Sequence, residues 1–157
     1  KPSFKDYPAC NFSLSHSGSY AVCVFTEDTA PVGIDIQEYR SLNRDRIRAR
    51  FYTDLEKEQA ESVEMFFRIW SAKEAYMKYT GKGFSEGFDT FSVLPESAIV
   101  VCSDSDSRPL ANLQEPLVLP GYSCSLCTSF RVIPGSISVY ELSEDDLINM
   151  PACSEKV

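Results

Sequence analysis

The sequence predicts an α+β fold, an antiparallel sheet packed on a central helix, within one domain spanning residues 1–157. Three observations carry this. Short β-rich runs separated by Gly, Pro and Ser turns occupy both ends of the chain. Residues 66–83, from Phe66 through Trp70, Lys73, Glu74 and Lys78 to Gly81-Lys82-Gly83, read as one helix closed by a glycine turn. A chain of 157 residues can bury roughly 70% of its unfolded surface around one core, so no second core is required.

Composition narrows the function classes. Hydrophobic and charged shares of 43% and 24% are ordinary for a globular protein. No run of about 18 apolar residues suggests a membrane span, and no signal-peptide core is visible. A net charge of -8 argues against nonspecific nucleic-acid binding over a broad basic surface. Yet Arg40, Arg44, Arg46, Arg48 and Arg50 place five of the 15 basic residues within eleven positions. Such a patch attracts an acidic partner, unless it is only a solvated helix face paired with neighbouring carboxylates. Of the six cysteines only Cys124 and Cys127 form a CxxC, and a structural zinc site needs four ligands. Reduced cysteines in strands of a cytoplasmic protein are therefore expected.

The elements follow in order. Residues 11–25 read as two strands joined at His16-Ser17-Gly18. The joint is either a plain hairpin turn or a cluster of hydroxyl, imidazole and backbone donors suited to phosphate oxygens. Val32 to Gln37 is a short apolar strand interrupted by Asp35. A charge buried there without a partner is expensive, so Asp35 wants a metal ion or a basic side chain, unless it sits at an exposed edge. Residues 41–51 form a helix anchored by Ile47 and Phe51, and Thr53 with Glu56 makes the capping box of a second helix that either runs on or breaks near Ser62-Val63 before the central helix.

In the central helix, Trp70, Glu74 and Lys78 share a face with Lys73 beside them, while Phe66, Ile69 and Met77 face a core. Taken alone, Glu74 and Lys78 are an ordinary pair worth a few tenths of a kcal/mol. After Gly83 come a turn, strands at 88–94 and 99–102, a hairpin loop at 103–107, and strands at 122–132 and 137–141. Ser143 caps a short acidic helix over 144–150, and the tail after Pro151 frays.

Three polar features stand apart in this order: Ser15-His16-Ser17-Gly18, Asp35 within Val32-Gly33-Ile34-Asp35-Ile36, and Trp70-Ser71-Ala72-Lys73-Glu74-Ala75 with Lys78. With Lys1-Pro2 ahead of them, they resemble the 4'-phosphopantetheinyl transferases of the larger, surfactin-synthetase type. The resemblance implies transfer of the phosphopantetheine arm of coenzyme A to a serine of an apo acyl or peptidyl carrier protein, with release of adenosine 3',5'-bisphosphate. It implies Mg²⁺ on Asp35 and Glu74, Glu74 as the group taking the serine proton, and Lys78 steadying the leaving phosphate. Lys1, Ser15, His16 and Lys73, with Lys78, are implied to bind coenzyme A, and Arg40, Arg44 and Arg48 to meet the carrier protein.

Two departures qualify the resemblance. Gln37 stands where many relatives carry a further carboxylate. Enzymes of this type are pseudo-dimers of two similar halves, and this chain, which opens at Lys1, matches the second half. A missing N-terminal half or a homodimer is therefore expected. The alternatives are a non-catalytic carrier-protein or coenzyme A binding module, and a metal-dependent nucleotide hydrolase or phosphotransferase of another class.

Overall fold

The computed structural model describes residues 10–26, 29–83, 87–102, 109–133 and 136–149. Its strands are β1 (Asn11–Ser17), β2 (Tyr20–Thr26), β3 (Val32–Glu38), β4 (Phe91–Leu94), β5 (Ile99–Cys102), β6 (Pro109–Gln114) and β7 (Tyr122–Thr128). Its helices are α1 (Arg44–Phe51), α2 (Asp54–Gln59), α3 (Val63–Thr80) and α4 (Glu144–Ile148). Strands β3-β7-β6-β5-β4 form one antiparallel sheet in that order, and β1 with β2 forms a separate hairpin. The predicted α+β arrangement, an antiparallel sheet on a central helix, is what the chain adopts.

Helix α3 is that central helix. Ser62 caps it by accepting the Met65 N–H, and Gly81 ends it at φ +69°. Its apolar stripe, including Phe66, Phe67, Ile69, Ala72 and Tyr76, packs with Phe91, Val93 and Cys127 from the sheet into the main core. On β3, alternation puts Gly33, Asp35 and Gln37 on one side of the strand and Ile34 and Ile36 on the other. Ile34 and Ile36 join Val22 of β2 and Cys124 of β7 in a second, smaller core under the hairpin.

At Gly33 the helix and strand meet backbone to backbone. A Cβ there would lie 2.0 Å from the Ala75 carbonyl oxygen and 2.5 Å from the Tyr79 nitrogen. Only glycine permits the approach. Nearby, Ser71 of α3 shares hydrogen bonds of 2.9 and 2.8 Å with Ser123 and Ser125 of β7, so the seam stays narrow and its hydroxyls stay satisfied.

The hairpin is held to β3 in an unusual way. β3 is an edge strand of its sheet. Its outward N–H groups at Ile34, Ile36 and Glu38 donate to the hydroxyls of Ser13, Ser15 and Ser17 at 3.1, 3.3 and 2.9 Å. Serines two apart on β1 thus cover the exposed edge of β3 with side chains.

Several boundaries differ from expectation. The central helix starts at Val63 because Ser62 caps it, and α1 starts at Arg44 because Asn43 accepts the Arg46 N–H. The strand expected from Phe88 is confined to β4, since a turn in which Thr90 N–H meets the Gly87 carbonyl occupies its start. Strand β6 was not foreseen; its alternation is short, with only Ala111 and Leu113 buried. Residues 137–141 form no strand, and Val139 and Tyr140 lie exposed. Apolar alternation needs a free edge to pair with; the β3 edge is covered by the β1 serines, and on β4, the other edge, Glu56 takes the Val93 N–H and Lys73 bonds the Phe91 carbonyl. Cys124 and Cys127, three apart on β7, point to opposite faces and fall in different cores, so the pair cannot chelate. Burial pushes both thiols up to about 12. The expectations for Lys1, for the 103–107 loop and for the tail after Pro151 fall outside the described residues.

Substituting Gly33→Ala forces α3 away from β3. It is expected to destabilise the protein by about 1–3 kcal/mol or more in denaturant unfolding, and wild-type stability would show that the helix can shift without cost.

Candidate active site

The inner side of β3 places Asp35 beneath α3, where the residue is 2% exposed. Its Oδ1 accepts hydrogen bonds from Ser15 Oγ at 2.7 Å and Lys78 Nζ at 2.7 Å, and its Oδ2 accepts one from Gln37 Nε2 at 2.8 Å. Lys78 Nζ also donates to the Ile34 carbonyl at 3.1 Å. The counter-ion that Asp35 requires is therefore a lysine one strand-to-helix step away.

Glu74 lies one turn before Lys78 on α3 and is half-buried. Burial raises its carboxyl pKa, the Asp35 charge raises it further, and Lys78 opposes both. The structure thus brings Asp35, Glu74 and Lys78 together, with one ammonium shared unequally between two carboxylates. Among the described residues, no hydrogen bond or ion pair is made to the Glu74 carboxylate.

That arrangement fits a hard divalent cation. Mg²⁺ is commonly held by one or two carboxylates and completes its shell with water and substrate phosphate oxygens. No cluster of three His, Cys, Asp or Glu side chains gathers among the described residues. Asp35 and Glu74 would be the protein's contribution. Gln37, turned onto Asp35 by its amide NH₂, offers no third charge.

Lys73 is a correction to the expected set. It is 0% exposed, and its ammonium is bonded to Glu56 Oε1 at 2.7 Å and to the Phe91 carbonyl at 3.0 Å, 4.4 Å above the Phe91 ring. Adjacent helical residues diverge by about 100°, so burying Lys73 toward α2 and β4 turns Glu74 toward β3. Its pKa is lowered by burial, with Glu56 opposing. Glu56, also 0% exposed, takes the Val93 N–H at 2.8 Å on Oε1 and the Thr53 N–H at 2.9 Å on Oε2. The sequence shows Glu56 only as a capping residue; its second duty as the partner of Lys73 needs the fold.

Ser15 and His16 are separated by the strand's alternation. Ser15 is buried against Asp35, and His16 is exposed on the outer face of the hairpin opposite Ala21. The turn that follows is propped from beneath. Gly18, at φ +54°, has the Tyr122 hydroxyl 2.3 Å from where a Cβ would stand. That hydroxyl donates to Glu38 Oε1 at 3.2 Å and accepts the Ser19 N–H at 3.2 Å. Neither Tyr122 nor Glu38 carried any signal in the sequence.

The arginines are only partly free. Arg48 donates from Nη2 to the Lys57 carbonyl at 2.7 Å and so ties α1 to α2. Arg40, Arg46 and Arg50 are exposed and Arg44 is half-buried. Trp70 stacks on Phe88 with centroids 5.6 Å apart and meets Phe51 edge-on, which makes it a packing residue. A groove of about 410 Å³ lined by Leu55, Gln59, Met65, Leu94, Glu96 and Ser97 includes none of the site residues.

The sequence profile of the 4'-phosphopantetheinyl transferase superfamily matches residues 31–127, which hold Asp35, Glu74 and Lys78. The chain belongs to this superfamily. It is 32% identical over 151 residues to 4'-phosphopantetheinyl transferase Sfp of Bacillus subtilis, covering 92% of this chain and 66% of that protein. It is 38% identical over 135 residues to 4'-phosphopantetheinyl transferase psf-1 of Bacillus pumilus, covering 82% of this chain and 57% of the relative. The chain therefore spans between 57% and 66% of the length of these superfamily members. Its fold is also similar to the holo-[acyl-carrier-protein] synthase of Thermotoga maritima, at a TM-score of 0.45 and 19% identity, covering 62% of this chain and 61% of that one.

The raised Glu74 pKa has a sign that can be tested. A carboxyl whose folded pKa lies above its unfolded value weakens the fold as pH rises from the unfolded value through the folded one. With chelator present, Glu74→Gln is therefore expected to melt above the wild type at pH 7. The difference should vanish below about pH 4, where both forms are neutral. A lower melting temperature at pH 7 would mean that the ionised Glu74 stabilises the fold.

Proposed function

We propose that this protein is a cytoplasmic 4'-phosphopantetheinyl transferase, or the half of one that carries the acidic site. Its reaction moves the 4'-phosphopantetheine arm of coenzyme A to a serine of an apo acyl or peptidyl carrier protein. The observation that supports this reading is the convergence of buried Asp35 with half-buried Glu74 and Lys78 in a chain of this superfamily.

In the step, the acceptor serine oxygen bonds to the phosphorus of the pantetheine phosphate as the anhydride P–O bond breaks. The bond electrons leave on adenosine 3',5'-bisphosphate. Glu74 takes the serine proton, a role open to it because its carboxylate makes no hydrogen bond or ion pair among the described residues. Lys78, on a flexible four-carbon stem, exchanges Asp35 for an oxygen of the departing phosphate. Mg²⁺ held by Asp35 and Glu74 would supply charge neutralisation at the pyrophosphate. His16 on the exposed rim, with Lys1 beyond the described residues, is assigned to coenzyme A.

The carrier protein meets the exposed arginines Arg40, Arg46 and Arg50 with half-buried Arg44, leaving Arg48 to its structural bond. The opposite wall of the cleft comes from a second half-domain, either upstream or in another copy. The outer face of the β1–β2 hairpin is suited to receive it. Cross-strand pairs Phe12 with Phe25 and Leu14 with Cys23 line that face, and Leu14 and Phe25 are 57% and 61% exposed.

A second reading rests on the occupancy of Asp35 by Lys78 and Gln37. On it, the protein binds coenzyme A or carrier protein without turnover.

Incubation with coenzyme A, Mg²⁺ and an apo carrier protein is expected to add the phosphopantetheine mass to the carrier, with Glu74→Ala slower by about 10²–10⁴-fold. Binding without mass gain at saturating Mg²⁺ would favour the second reading. Arg44→Glu with Arg46→Glu should raise KM for the carrier and flatten its salt dependence, and unchanged kinetics would remove the patch from the interface. Leu14→Glu with Phe25→Glu should slow transfer, and reduce the particle mass measured in solution where the second half is another copy, while leaving the melting temperature within about 2 °C, because neither residue is in a core. An unaltered mass and rate would place the missing wall elsewhere.

A further inference from the structure

Ser13, Ser15 and Ser17 share one structural duty, each accepting an N–H from the edge of β3. Ser15 alone has another bond among the three that reaches the acidic site: its Oγ donates to Asp35 Oδ1 at 2.7 Å. A hydroxyl has a single proton. With the Ile36 N–H arriving at 3.3 Å and the carboxylate able only to accept, that proton is committed to Asp35. Ser15 is buried, and the residue that reaches the rim from this segment is His16.

We propose that Ser15 is a positioning residue for Asp35. Its hydroxyl, fixed to the β3 backbone on one side, locks the carboxylate against rotation about its side-chain bonds. Gln37 holds the other oxygen, and Lys78 is the one partner on a long flexible stem. When Lys78 moves to a phosphate, Ser15 and Gln37 stay, so Asp35 meets a divalent cation already oriented. Second-sphere hydrogen bonds of this kind typically change metal affinity by about 10–100-fold. The inference deepens the proposed function, since it rests on Asp35 as a metal ligand.

The matched comparison is built into β1. Ser15→Ala and Ser13→Ala each delete a buried hydroxyl that accepts one β3 N–H, but only the first deletes the bond to Asp35. Mn²⁺ affinity is measured by electron paramagnetic resonance and coenzyme A affinity by calorimetry without metal, on the whole chain with each substitution. Ser15→Ala is expected to weaken Mn²⁺ binding about tenfold or more, with coenzyme A affinity within about twofold of wild type, and Ser13→Ala to leave both unchanged. Equal losses of Mn²⁺ affinity in the two variants would overturn the proposal in favour of general loosening of the edge. Loss of coenzyme A affinity with Mn²⁺ affinity intact in Ser15→Ala would overturn it in favour of direct ligand contact. Failure of the wild type to bind Mn²⁺ would remove the metal reading itself, and the role of Ser15 with it.

Discussion

The contact on which the rest depends is the approach of α3 to β3 at Gly33. No side chain separates the Ala75 carbonyl from the strand, so the helix axis lies closer to the sheet than side-chain packing would permit. That closeness lets Lys78, rooted on the helix, reach both the Ile34 carbonyl and the Asp35 carboxylate on the strand. It also places Glu74 where the charge of Asp35 is felt. A methyl group at residue 33 would widen the seam along which all three site residues meet.

Around this seam, polar side chains do work that backbone bonds or apolar packing do elsewhere. The serines of β1 cover the edge of β3, the Ser71–Ser123–Ser125 group closes α3 on β7, and the Glu56–Lys73 pair joins α2, α3 and β4. The last is fully enclosed and hydrogen-bonded at both ends, the condition under which a buried ion pair is tolerated. Removing one member leaves a buried charge unpaired, whereas the pair intact holds the rotation of α3 about its axis. The direction of Glu74 is thereby tied to a lysine that never touches the site.

Much of the fold was legible because it rests on local chemistry. The capping box at Thr53 and Glu56, the αL stop at Gly81 and the hairpin around Gly18 each need only neighbouring residues. What misled was apolar alternation without knowledge of a free edge, which suggested a strand at 137–141, and short alternation, which hid β6. In the site, helical spacing put Glu74 and Lys78 on one face, and the cost of burying Asp35 announced a partner. Spacing also set Lys73 beside them, and there it failed: a lysine on the boundary of a helix face goes wherever a buried carboxylate waits, and Glu56 lies 17 residues away in the chain.

The residue types of the site, the helix that carries Glu74 and Lys78, and the strand that carries Asp35 are written in the amino-acid order, because periodicity and the energetics of a buried charge act over a few residues. Which lysine answers Asp35, why residue 33 is glycine, and how Tyr122 comes to prop a turn more than a hundred positions earlier emerge from the folded chain alone. Those outcomes depend on distances between elements remote in sequence, and such distances are set by how the whole core packs.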